Sequence, residues 1–376
     1  HNNWSISADG KNLLDPSDTP EDNLQFLVFL TSIIAAVDDH QDLMRCSVSS
    51  AGNDHRLGAN EAPPAIISVF LGDDLAAVVD ALINDKPYQS HPREKMDLGV
   101  PQLADLTKDS TDRNRTSPFA FTGNKFEFRM CGSQQNLSDP NMVLNTAVAE
   151  KLDAFATTME DVPECDFIVE ALAWVKKTLT DHQRIIFNGN GYSEEWPEEA
   201  ARRGLLNNRT TPDALPCMLD QKNIDLFNHY KVCSPDEMHA RYVSKAEQYA
   251  KLLNIEANTM VYMTKHMYLP ALFDYSGDIA TTVATKAELG IEAKAEKALV
   301  QEITDAINVI TELVSTLEEK NTAAQQLEDC TAQDNEYRDS VIPAMDALRA
   351  AVDEMEKVCG HDYWPVPSYN KILFYV

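Results

Sequence analysis

Basic residues are scarce in this chain: 32 lysines and arginines stand against 60 aspartates and glutamates, a formal charge of −28 over 376 residues. That balance excludes a nucleic-acid surface, which needs clustered cations to displace counterions, and it disfavours anionic membranes. Long hydrophobic runs are missing too; nothing approaches the ~18 consecutive apolar residues of a membrane span. The first residues, His1-Asn2-Asn3-Trp4-Ser5, hold neither a basic nor an apolar stretch, so no secretory signal is visible. Cysteines number seven, without a C-x-x-C pair, which fits reduced thiols in a cytoplasmic protein. Sequons such as Asn3-Trp4-Ser5 and Asn114-Arg115-Thr116 then read as chance. The glycines form neither a Walker loop nor a full G-x-G-x-x-G, and Ile185–Gly191 reads as a strand followed by a glycine turn. An acidic chain binds a nucleotide only through a local Arg/Lys cluster and a divalent metal, so each arginine is informative.

What the chain does have is core: 44% hydrophobic residues, enough for roughly two domains. Apolar positions at helical spacing over 22–46 (Leu24, Phe26, Leu27, Leu30, Ile33, Ile34, Val37) predict a well-buried helix. Ala65–Leu71 reads as a helix leading to Gly72, and polar, proline-bearing sequence over 84–117 as an irregular loop. A strand over 119–131 follows, with helical pattern from Asn141 onward. In the last third, Val300, Ile303, Ile307, Ile310, Val314 and Leu317 follow a 3-4-3-4-3 spacing, a narrow seam for helix–helix packing. Ile342, Met345, Leu348, Val352 and Met355 make a second such stripe, and Trp364–Tyr369 an extended aromatic tail that docks on the body. The fold class is α+β: antiparallel strands flanked by helices over residues 1–255, then a helical extension with its docking tail over 256–376.

Candidate chemistry concentrates before residue 130. In Lys125-Phe126-Glu127-Phe128-Arg129, strand alternation puts Lys125, Glu127 and Arg129 on one face and both phenylalanines on the other. Such a face suits a solvated strand or the wall of a cavity for a polyanion and its metal. Glu127 is a hard oxygen ligand of the kind Mg²⁺ takes. Asp112-Arg113-Asn114-Arg115 places two arginines in a clamp arrangement for phosphate, or as surface charge compensation. Asn53-Asp54-His55-Arg56-Leu57-Gly58-Ala59-Asn60-Glu61-Ala62-Pro63-Pro64 suits a flap, or an ordinary surface loop with an Arg–Glu pair.

Together these segments resemble the C-terminal part of glutamine synthetase in its large, type III form. The resemblance rests on His-Asn-Asn-Trp-Ser at the start, on the Asn53–Ala65 stretch, and on Asn-Arg-Thr-Ser-Pro-Phe-Ala-Phe-Thr-Gly-Asn-Lys-Phe-Glu-Phe-Arg over 114–129. Gly191–Trp196, Arg203–Asn207 and Trp364-Pro365 also look like that pattern. It implies ATP-dependent ligation of ammonia to L-glutamate through a γ-glutamyl phosphate, with Mg²⁺ or Mn²⁺. It also implies a cytoplasmic homo-oligomer of stacked rings, a dodecamer. By the same resemblance His1 is a ligand of the metal bridging the ATP phosphates, and Glu127 binds the metal that organises glutamate. Asn3 and Ser5 fall at nucleotide positions, Arg56 and Arg129 at glutamate, Arg115 and Lys125 at the phosphates. Glu61 is implied as the flap carboxylate that helps bind ammonium and shields the acyl phosphate from water.

Two departures stand out. The shorter forms of the family carry an arginine where this chain has Ala120, a gap that Arg113 is expected to fill. The family's N-terminal β-grasp domain, the first half of its catalytic domain and most of its metal-binding glutamates have no counterpart here, so the 376 residues alone are expected to be inactive. Two alternatives remain open: a γ-glutamyl ligase acting on another amine, and a non-catalytic, self-associating helical scaffold.

Overall fold

The computed structural model describes residues 1–59, 62–88, 95–96, 106–107, 116–367 and 369–374. The chain divides into two compact units, His1–Tyr242 and Val243–Val376.

The first unit is built on a mixed four-stranded sheet. Its strands are β1 (Asn2–Trp4), β2 (Val69–Phe70), β3 (Phe119–Phe121) and β4 (Phe126–Phe128), in the order β1-β4-β3-β2. β3 and β4 form an antiparallel hairpin, β1 pairs antiparallel with β4, and β2 lies parallel to β3. The predicted single strand over 119–131 is therefore two strands. Thr122 N–H donates to the Lys125 carbonyl at 2.8 Å, closing a turn in which Gly123 sits at φ +84°. That left-handed backbone is where glycine costs least, and it reverses the chain between two aromatic runs.

The predicted helix over 65–71 is extended instead. Ile66, Ile67, Ser68, Val69, Phe70 and Leu71 are all buried. A short, continuous apolar run buried on both sides is the signature of an inner parallel strand, and it is too short for a helix. Beyond β2, Val69 makes a parallel bridge with Ile186, and Phe187 N–H donates to the Val69 carbonyl at 2.9 Å. The strand predicted at Ile185–Gly191 thus shrinks to one bridge after a 3₁₀ turn, Gln183–Ile185.

Helices cover the apolar face of this sheet. The predicted 22–46 helix starts where Asn23 Oδ1 accepts from Phe26 N–H and breaks at His40, giving α1 (Leu24–Asp39) and α2 (Gln41–Cys46). α1 packs against α3 (Ser138–Met159) and α4 (Phe167–His182). Phe119 stacks on Phe126 at 4.6 Å, Phe121 meets Phe126 edge-on at 5.2 Å, and Phe26 of α1 reaches Phe121 at 5.9 Å. Five aromatic rings, with Phe128 among them, form the core directly beneath the sheet.

The second unit is helical. Its main elements, after the helix Pro235–Met263 that crosses the unit boundary, are α5 (Leu269–Glu288), α6 (Lys294–Gln325) and α7 (Ile342–Glu356). α6 packs between α5 and α7. Ile303, Ile307, Ile310, Val314 and Leu317 are buried on α6 as their spacing predicts, and the seam continues through Asn321 and Ala324. π-helical turns at Thr264–Tyr268 and Tyr337–Val341 lead directly into α5 and α7. Each precedes a proline, Pro270 or Pro343, which has no N–H and whose ring crowds the carbonyl four residues earlier. A widened turn relieves both conflicts without ending the helix. The tail docks through Trp364, buried and stacked on Tyr268 at 5.1 Å. The extended tail predicted over Trp364–Tyr369 ends at Tyr369, where a short helix, Tyr369–Leu373, begins. All seven cysteines are free thiols. Among the described residues no helix is long and apolar enough to cross a membrane.

Candidate active-site wall

The polar face of the sheet is set by strand parity. β1 and β4 pair with Asn3 opposite Glu127 and Trp4 opposite Phe126. Residues directly opposite in an antiparallel pair share a face, and so do residues two apart along each strand. His1, Asn3 and Ser5 therefore lie on one face with Lys125, Glu127 and Arg129. The other face carries Asn2, Trp4, Phe126 and Phe128, all buried.

On the polar face Glu127 is the hub. Its Oε2 accepts from Arg129 Nε at 3.2 Å and Nη2 at 3.1 Å, while Oε1 accepts from Thr122 Oγ1 at 3.3 Å. His1 Nδ1 stands 3.7 Å from the same Oε2. Two ligands of a small divalent cation sit about 2.1 Å from it, so they are about 3 Å apart when adjacent and about 4.2 Å when opposed. The His1–Glu127 spacing falls inside that span, and an imidazole nitrogen with a carboxylate oxygen is a suitable donor set for Mg²⁺ or Mn²⁺. Lys125 is half-buried, and its ammonium has no hydrogen-bond or ion-pair partner among the described residues.

Ser5 Oγ donates to Asn12 Oδ1 at 2.7 Å, which ties it to the β3–β4 turn through Asn12 Nδ2 and the Asn124 carbonyl, 2.7 Å apart. Asn3 is exposed beside Glu127. Arg56 is half-buried at the end of β4: Nη2 donates to the carbonyls of Met130 (2.8 Å) and Cys131 (3.0 Å), and Nε to Asn53 Oδ1 (2.9 Å). Burial holds its guanidinium below the usual arginine range. The structure thus brings His1, Asn3, Ser5, Lys125, Glu127 and Arg129 to one face and sets Arg56 against the chain that leaves it. Glu61, Arg113 and Arg115 lie outside the described residues. Ala120, directly opposite Glu127, is buried.

Sequence reasoning missed Thr122 and Asn53. Thr122 is in line for Glu127 only once the hairpin is known. Asn53 bridges the Val48 and Met130 carbonyls, 2.7 and 2.9 Å away, and so fixes the Arg56 turn. Its place three residues before Arg56 was the available signal.

A second cluster, Asp38, Asp39 and His182, has ligand atoms close enough to share a metal. Its charge is already met by protein cations: Arg184 Nε donates to Asp38 at 2.9 Å, and Lys151 Nζ lies 2.6 Å from Asp39. That ion-pair network joins α1, α3 and α4 as packing, away from the sheet's polar face.

Comparison with known proteins places this geometry in context. The glutamine synthetase C-terminal domain family matches residues 170–287. Over its entire length the chain is 43% identical to a type-3 glutamine synthetase of Dictyostelium discoideum. It is likewise 39% identical to a glutamine synthetase of Butyrivibrio fibrisolvens and 34% identical to one of Bacteroides fragilis. The chain covers 52%, 54% and 53% of those proteins, and so spans about half the length of the curated relatives it matches.

Proposed function

This chain belongs to the glutamine synthetase family, and we propose that its polar sheet face is one wall of a site that ligates ammonia to L-glutamate at the expense of ATP. The observation that carries this reading is the convergence of His1 and Glu127, 3.7 Å apart, on the face that also presents Lys125 and Arg129. A carboxylate is a poor electrophile, so it is activated as γ-glutamyl phosphate before ammonia displaces phosphate. Phosphoryl transfer depends on cations placed where negative charge gathers.

The resemblance assigns His1 and Glu127 to two different metals, but at 3.7 Å they stand close enough to hold one cation between them, and that cation, when bound, would supply Lewis-acid neutralisation of phosphoryl oxygens. Lys125 adds a protein cation at the phosphates. Arg129, now paired with Glu127, offers a fork to the substrate carboxylate. Arg56 acts beside it at the glutamate end, with Asn3 and Ser5 at the nucleotide. Glu61 and Arg115 complete the reading as ammonium-binding flap carboxylate and phosphate clamp. Further acidic ligands and the neighbouring subunits of a ring assembly would close the cavity opposite this wall.

Glutamine formation from glutamate, ammonium and ATP by the full-length protein tests the reading directly. Thermal stabilisation by Mg²⁺-ATP, lost on Glu127→Ala, would separate a ligase from a helical scaffold. Turnover with methylamine exceeding that with ammonium would overturn the choice of amine. Glutamine formation by the isolated 376 residues would show that this wall suffices without its complement.

A further inference from the structure

β1 carries Asn3 and is flanked by His1 and Ser5, yet it is three residues long and lies at the end of the strand order. Backbone bonds to β4 alone hold such a strand weakly, because a short edge strand slips or frays at little cost. What else fixes it lies on its inner face. Asn2 Nδ2 donates to Asn141 Oδ1 at 2.8 Å, and Trp4 Nε1 donates to Asn145 Oδ1 at 2.8 Å. Both acceptors are on α3, one helical turn apart.

The two spacings match. Residues two apart on a strand are separated by about 6.7 Å, and residues four apart on a helix rise by about 6 Å. Both bonds form together at one axial position of β1 along α3; a one-residue slip breaks both and turns the wrong face outward. Asn2 is 3% exposed, a polar side chain at a core-facing position where an aliphatic residue would pack at lower desolvation cost. The buried amide makes sense as a device for register.

We propose that Asn141 and Asn145 are positioning residues: a two-rung clamp that indexes β1 and so places His1 against Glu127. The proposal rests on the reading of His1 and Glu127 as a cation site. It predicts that a change on α3, on the opposite side of the sheet, weakens cation binding.

Mn²⁺ binding by the full-length protein, followed by electron paramagnetic resonance of free Mn²⁺, provides the test, with thermal melting in parallel. Glu127→Ala is the reference for the site itself. If it leaves Mn²⁺ affinity unchanged, the cation reading falls and the clamp with it. If Glu127→Ala abolishes binding, Asn145→Ala and Trp4→Phe should each weaken it by about tenfold, the low end for groups that orient a metal ligand. Asn145 is exposed and Trp4→Phe keeps an aromatic ring in the core, so both variants should fold. Because both remove the same bond, the Trp4→Phe/Asn145→Ala double variant should be no weaker than the worse single variant. The glutamate KM should stay within about twofold. Lower melting temperatures with unchanged Mn²⁺ affinity would assign the bonds to packing alone and overturn the clamp. Multiplying single effects would also overturn it.

Discussion

The polar sheet face of the first unit and the α6 seam of the second solve opposite problems. Along α6 every buried position from Ile303 to Leu317 is aliphatic, repeats every three or four residues, and gains from burial alone. On the sheet face, Arg129, Thr122 and His1 crowd around the Glu127 carboxylate, and Lys125 stands without a partner among the described residues. The seam spends its residues on stability. The face holds charge that folding alone does not require, supported from behind by five aromatic rings. Such a surface fits the ligand site proposed above.

The sharpest way to break that contrast is Glu127→Ala. It should lower glutamine formation by the full-length protein by about a thousandfold or more, the scale of losing a preorganised charge-stabilising group. Because it takes a partner from the buried Arg129 guanidinium, the melting temperature without ligand should fall modestly, by less than in Leu317→Ala. Leu317→Ala, in a position with no exposed surface, should do the reverse. A cost of about 2–5 kcal/mol for the emptied cavity should appear in chemical denaturation followed through the helical unit, with Mn²⁺ affinity unchanged.

Asp334 sharpens the comparison within the helical unit. Burial pushes its carboxyl up to about 7. Since the unfolded carboxyl ionises near 3.8 and the folded one near 7, the unfolded state binds fewer protons between those values. The second unit should therefore lose stability as pH rises through that window. Asp334→Asn should raise its melting temperature at pH 8 and leave it nearly unchanged at pH 3.5. Glu150, on α3, has the opposite sign. Its hydrogen bond with His40 draws its pKa down to about 2 from 4.5. Its stabilisation is present above about 4.5 and fades as pH falls towards 2. Glu150→Gln should flatten that acid limb slightly, the smallest of these effects because the side chain is partly solvated.

Legibility followed the range of the interactions. The 125–129 alternation was readable because parity within a strand is local, and the α6 seam because helical periodicity is local. Ala65–Leu71 was misread because a short apolar run has no period to distinguish a buried strand from a helix; its parallel partner, Phe119–Ala120, lies fifty residues away. The hairpin within 119–131 hid because the aromatic pattern continues on both sides of its turn. Of the site, Glu127 and its neighbours were visible in one segment, whereas the Asn2–Asn141 and Trp4–Asn145 bonds span 139 and 141 residues.

By itself the sequence determined that Lys125, Glu127 and Arg129 share a face, that phenylalanines bury the reverse, and that the last third is helical. Those outcomes depend on backbone periodicity, which a local stretch of chain carries whole. Only the tertiary structure decided that His1, Asn3 and Ser5 join that face, that Thr122 leans on Glu127, and that α3 holds β1 in register. Sheet pairing and cross-element hydrogen bonds are choices among distant partners, and the free energy that selects them exists only once the core has closed.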